Sequence, residues 1–90
     1  MRKFSFEVKL EKDLQKLYKK DRQLYEIVMK KAEEIIECDD VGHYKNLRAP
    51  LQEFKRVHIR GPFVLIFKYE KVQDRLLFYE LGHHDNIYKI

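Results

Sequence analysis

Arg56, His58 and Arg60 stand two residues apart in the run Phe54-Lys55-Arg56-Val57-His58-Ile59-Arg60. On an extended chain, residues at that spacing point to the same side. Val57 and Ile59 take the alternate positions. If those two bury, both guanidiniums and the imidazole share the opposite, open face. Arginine holds phosphate through paired donors, and histidine changes charge near neutral pH and can pass a proton. Cleavage of RNA through its 2′-hydroxyl needs a base, an acid, and cations to meet the charge on the phosphorane. The pattern could supply all three; it could equally be a strand face made soluble by charge.

A second polar group closes the chain, in Gly82-His83-His84-Asp85-Asn86-Ile87-Tyr88. Imidazole and carboxylate are common metal ligands, but adjacent histidines on an extended chain point apart, and no further ligand follows at a suitable spacing. The reading is therefore metal-free and without a cofactor. His84 or His83 serves as an acid–base group oriented by Asp85, and Tyr88 stacks on a base or relays a proton. His43, in a loop beside Gly42, has no such company. Tyr44 next to Lys45 reads as loop polarity with some chance of touching nucleic acid.

The net charge of +4 is concentrated. Lys45, Arg48, Lys55, Arg56 and Arg60 face one acid, Glu53, between positions 45 and 60, and the rest of the chain is neutral overall. A local basic patch on a balanced chain suggests a polyanion site, with Lys45, Arg48 and Lys55 as RNA contacts beside His83 and Asp85. The single cysteine, Cys38, excludes an internal disulfide framework and a cysteine-based zinc cage. No apolar run approaches the roughly 20 residues that span a bilayer, and the start lacks a signal-peptide core, so the expected address is the cytoplasm, with no membrane contact.

These residues need a frame. Lys3 to Val8 has the period of a half-buried strand, with Phe4, Phe6 and Val8 on one face. Lys12 to Lys19 reads as a short helix presenting Leu14, Leu17 and Tyr18. Asp21 is placed to cap a longer helix to about Glu37, whose stripe is Leu24, Ile27, Val28, Ala32, Ile35 and Ile36. A loop to Glu53 follows, then strands over Phe54–Arg60, Phe63–Tyr69 and Arg75–Leu81 with short turns between them. The predicted architecture is α+β in the order βααβββ, one domain over residues 1–90. Two N-terminal helices pack on one face of a small, antiparallel-rich sheet.

The element order, the loop Tyr44-Lys45-Asn46-Leu47-Arg48, the segment Arg56 to Phe67 and the terminal His83-His84-Asp85-Asn86-Ile87-Tyr88 resemble the RelE/ParE superfamily of type II toxins over essentially the whole chain. The resemblance implies a toxin that cuts messenger RNA, commonly on the ribosome, by 2′-hydroxyl attack. It inhibits translation and is neutralised by a cognate antitoxin in a toxin–antitoxin hetero-oligomer. Position by position, Arg56, His58 and Arg60 match the family's basic strand positions, His84 or His83 the terminal acid–base position, and Tyr88 the closing aromatic. The chain is similar to the histidine-bearing branch, that of YafQ and YoeB. It departs from the family at Val64, where many members carry an arginine after the aromatic of the turn; Lys55 or Arg60 would have to replace that phosphate contact. Three other readings stay open: a ParE-like gyrase poison without nuclease chemistry, which has no need of His58, His84 and Tyr88; a non-catalytic nucleic-acid-binding module; and a catalytically worn toxin that persists as a partner for an antitoxin, suggested by Val64.

Overall fold

The computed structural model describes residues 2–87. Strand β1 (Lys3–Phe6) leads into helices α1 (Val8–Lys20) and α2 (Arg22–Glu37). A single turn of 3-10 helix (Val41–His43) and a loop follow, then strands β2 (Phe54–Arg60), β3 (Phe63–Glu70) and β4 (Arg75–His83), and a one-turn helix α3 (His84–Ile87). The sheet order is β1-β4-β3-β2. The last three strands form the antiparallel meander expected of strands joined by short turns, whereas β1 lies parallel to β4. The predicted βααβββ order and α+β class hold. The parallel pairing of the edge strand is an addition to them, since Lys3 meets Arg75 from the far end of the chain and such a pairing leaves no local signal.

Both helices cover one face. Leu10 and Leu14 of α1 and Leu24, Val28, Ala32, Ile35 and Ile36 of α2 bury against Leu65, Phe67, Leu76 and Phe78 of the sheet. Removing each large apolar side chain from water stabilises the fold by roughly 1.5–3 kcal/mol. Helix α1 starts one turn earlier than predicted, since Leu10, Leu14 and Leu17 recur at helical spacing and Leu10 is fully buried. That early start corrects the first strand too. Phe6 stacks on Phe78 at 4.9 Å between ring centres, but Phe4 remains exposed on the edge strand and Val8 opens the helix, also exposed.

Helix α2 begins where the sequence places it, with Asp21 Oδ1 accepting the Leu24 N–H at 3.1 Å. Its far end is closed by Arg2. That guanidinium donates to the carbonyls of Ile36 at 3.0 Å and of Cys38, satisfying acceptors that the helix leaves without internal partners. Arg2 also donates from Nε to Asp74 Oδ1 at 2.9 Å, and the Tyr69 hydroxyl donates to the same oxygen at 2.8 Å. The start of the chain, the end of α2 and the β3–β4 turn are thus tied together.

Candidate active site on the open sheet face

The sheet face away from the helices is only partly covered. Leu47 and Leu51, from the loop before β2, close over Val64 and Ile66 to form a second, small apolar cluster with Phe54. The loop is held by pairing along the outer edge of β2. Asn46 bridges to Lys55, the Leu47 N–H donates to the Phe54 carbonyl at 2.9 Å, and the Arg56 N–H to the Lys45 carbonyl at 3.0 Å. That register sets Lys45 directly beside Arg56.

Arg56 lies opposite Ile66 and His58 opposite Val64, which puts both side chains on this open face as predicted, while Val57 packs toward the helices. His58 Nε2–H donates to the Gly61 carbonyl at 2.8 Å. A carbonyl can only accept, so the neutral ring carries its proton on Nε2, and Nδ1 is the nitrogen that can take one. Gly61 has φ +55°, which a side chain would strain; this backbone lets a two-residue turn, Gly61-Pro62, join β2 to β3. The same turn holds the start of α3, where the His84 N–H donates to the Pro62 carbonyl at 2.7 Å. One turn therefore receives the side chain of His58 and the backbone of His84, from opposite ends of the meander.

Asp85 sits between the two terminal histidines, with Oδ2 3.8 Å from His83 Nδ1 and Oδ1 3.6 Å from His84 Nδ1. Its backbone N–H donates to His83 Nδ1 at 3.2 Å. The His83 ring meets Phe63 edge-on at 6.3 Å, on the helix side, whereas His84 is exposed at the first position of α3. Tyr88 lies outside the described residues. Among the described residues no group of three His, Cys, Asp or Glu side chains is arranged to hold a metal ion.

Two of the cations expected in the site, Arg60 on the open face and Lys55 as an RNA contact, are directed elsewhere. A β-bulge interrupts the β2–β3 register between His58 and Arg60, so that Arg60 pairs with Phe63. An extra residue in one strand turns the alternation over. Ile59 and Arg60 both lie toward the helices, and Arg60 Nη2 donates to Asp21 Oδ2 at 2.8 Å. The Leu24 N–H, and after it Arg60, hold the Asp21 carboxyl below its ordinary range. Lys55 is the other correction. It alternates with Arg56 onto the helix side, is 9% exposed, and gives its ammonium to the Tyr44 carbonyl and Asn46 Oδ1, both at 3.1 Å. Neither side chain lies on the face that Val64 occupies. Val64 itself is buried beneath Leu47 in the second apolar cluster. On the open side Lys45 and Arg56 lie next to one another, with Arg48 exposed on the adjoining loop. Tyr44 meets Phe67 edge-on at 5.6 Å and belongs to the main core.

One open-face residue goes beyond the residues that the sequence singles out. Tyr79 of β4 is 43% exposed and its ring lies 4.9 Å from that of Phe54, across β3. The available signal is the alternation of Leu76 and Phe78 with Leu77 and Tyr79, which assigns Tyr79 to the side opposite the core. A cleft also lies against α1 and α2, lined by Phe6, Leu14, Tyr18, Tyr25 and Met29 with Lys12 and Lys16. It is on the helix layer, away from Arg56 and His58, and holds no pair of acid–base groups suited to the chemistry above.

No protein-family profile matches the chain. It is 49% identical over 80 residues to RelE4 of Methanocaldococcus jannaschii, a toxin by name, covering 89% of this chain and 83% of that protein. Among solved structures it superposes on a metal-bound toxin from Helicobacter pylori with a TM-score of 0.75, at 24% identity over 97% of this chain and 99% of the other. The toxin–antitoxin complex RelBE2 of Mycobacterium tuberculosis matches with a TM-score of 0.73, at 18% identity over 91% and 96% of the two chains.

Proposed function

Since the chain belongs to the RelE-like family of type II toxins, the toxin half of a toxin–antitoxin pair, we propose that it is a metal-independent endoribonuclease that cuts messenger RNA on the ribosome. Translation stops as a result, and a cognate antitoxin restores it by binding the toxin in a hetero-oligomer. The setting is the cytoplasm, where messages and ribosomes meet; no described helix is long and apolar enough to cross a membrane.

The observation that carries this reading is the convergence of His58 and His84 on the Gly61-Pro62 turn, with Arg56 two positions along the same strand face. In the reaction, His58 Nδ1 takes the proton of a ribose 2′-hydroxyl, and that oxygen attacks the adjacent phosphorus. The bond to the 5′-oxygen breaks as His84 returns a proton to it, leaving a 2′,3′-cyclic phosphate and a 5′-hydroxyl. Arg56, with Lys45 beside it, meets the charge on the phosphorane. Asp85 orients the terminal histidines. Tyr88 matches the family's closing aromatic, whose role is to stack on a base. A gyrase poison requires none of these groups, and a binding module requires only the cations.

Induced expression in a bacterial host, with messenger RNA ends mapped by primer extension, tests the proposal. Growth arrest with in-frame cuts that disappear in His84→Ala and Arg56→Ala is the expected result. Arrest with intact messages would overturn it in favour of gyrase or another target.

A further inference from the structure

We propose that Tyr79, backed by Phe54, is a stacking platform for a base of single-stranded RNA that neighbours the cleaved nucleotide. This subsite rests on the nuclease reading and extends it from chemistry to substrate grip. The β3–β4 register slips between the pairs Ile66/Glu80 and Phe67/Phe78, leaving Tyr79 as the extra residue of a β-bulge. Fully buried Phe78 fills the helix side, and Tyr79 is directed to the open face. There it leans on Phe54 at 42° between ring planes, so the two rings bridge β3 and support one another. Nearly half of Tyr79 stays accessible above that support. A well-braced, exposed aromatic needs little ordering to accept a second ring, and stacking is open to any base because each has a π-face.

The surroundings favour a nucleic acid over an apolar occupant. Along β2 the open face reads Phe54, Arg56, His58: an aromatic, a cation and an acid–base group. Lys45 lies beside Arg56 through the edge pairing. Phe54 and His58 are separated along the strand by roughly 13 Å at the usual rise per residue. A base on the platform therefore belongs to a neighbouring nucleotide and not to the one being cut, with its phosphate over the cations.

The chain contains no tryptophan, so Tyr79→Trp introduces a single fluorescent reporter that preserves a stacking ring. The probe is a short 2′-O-methyl oligoribonucleotide, which binds but cannot be attacked. Its binding, followed by anisotropy, should quench the emission of the introduced indole, and an abasic site at one position should abolish the quench. Tyr79→Leu, which keeps apolar cover over Phe54, should weaken binding roughly tenfold, by the same factor at low and moderate salt. Tyr79→Phe should bind as wild type does. A bound RNA that leaves the indole emission unchanged would overturn the subsite while leaving the nuclease reading intact. A quench together with intact messages in the expression experiment would do the reverse, and an oligonucleotide that does not bind at all would overturn the subsite. A spectral shift with the cognate antitoxin alone would reassign Tyr79 to a protein contact.

Discussion

Arg60 Nη2 meets Asp21 Oδ2 at 2.8 Å, joining the end of β2 to the residue that caps α2. The pair sits on the helix side of the sheet, where a substrate on the open face does not reach it. Arg60→Ala should therefore lower the melting temperature while RNA affinity stays near that of wild type. Arg56→Ala should lower RNA affinity. Asp21→Ala should cost more than Asp21→Asn, because asparagine can still accept the Leu24 N–H. Thermal melts beside RNA titrations check this; a loss of RNA affinity in Arg60→Ala at unchanged stability would return Arg60 to the substrate face.

Lys55 separates structure from binding in the same way. Its ammonium is held by the Tyr44 carbonyl and Asn46 Oδ1, and removal leaves those acceptors unmet. Lys55→Met should destabilise by about 1–3 kcal/mol. The salt dependence of RNA binding should stay as it is. Lys45→Ala, on the exposed side, should leave stability unchanged and reduce the slope of log K against log salt by about 0.7, the loss of one phosphate contact on a single strand. Equal slopes for wild type and Lys45→Ala would remove Lys45 from the site.

Acid should loosen the tie between the chain start and the β3–β4 turn. The Arg2 guanidinium, and after it the Tyr69 hydroxyl, hold the Asp74 carboxyl below its ordinary range. A carboxylate whose pKa is lower when folded adds stability above its unfolded value, about 3.9, and that contribution fades as pH falls through the folded value. The gap in stability between wild type and Asp74→Asn should thus be full at neutral pH and close under acid conditions. Denaturant unfolding from neutral to strongly acid pH measures it, and a gap that is constant with pH would contradict the assignment.

What is legible in the sequence is whatever repeats locally. Periodicity places β2 to the residue, Asp21 announces α2, and the alternation of Arg56 and His58 with Val57 names their face correctly. The same alternation misplaces Arg60, because a bulge leaves no mark in composition: Ile59 and Arg60 look like two more steps of one pattern, yet both lie on the helix side. Tyr79 has the face its alternation with Phe78 implies, but its meeting with Phe54 depends on β3 lying between them, which no local pattern shows. Lys55 counts with its neighbours by charge, whereas a lysine's long stem can carry that charge to buried carbonyls. Pairings between distant segments, such as His84 with the Gly61-Pro62 turn, depend on the assembled sheet and have no local signature.

The division of labour between the two histidines can be tested directly. His58 has its Nε2–H committed to the Gly61 carbonyl, which leaves Nδ1 for the role of base in the proposed reaction, with His84 as the proposed acid. Loss of either should slow cleavage by roughly 100- to 10,000-fold on ordinary RNA. A substrate with sulfur in place of the bridging 5′-oxygen has a leaving group that needs no proton. On that substrate His84→Ala should recover most of the lost rate, while His58→Ala should remain slow, since the 2′-hydroxyl must still be deprotonated. Recovery in His58→Ala instead would exchange the two roles. Recovery in neither would mean that the terminal proton comes from another group and that His84 acts by positioning alone.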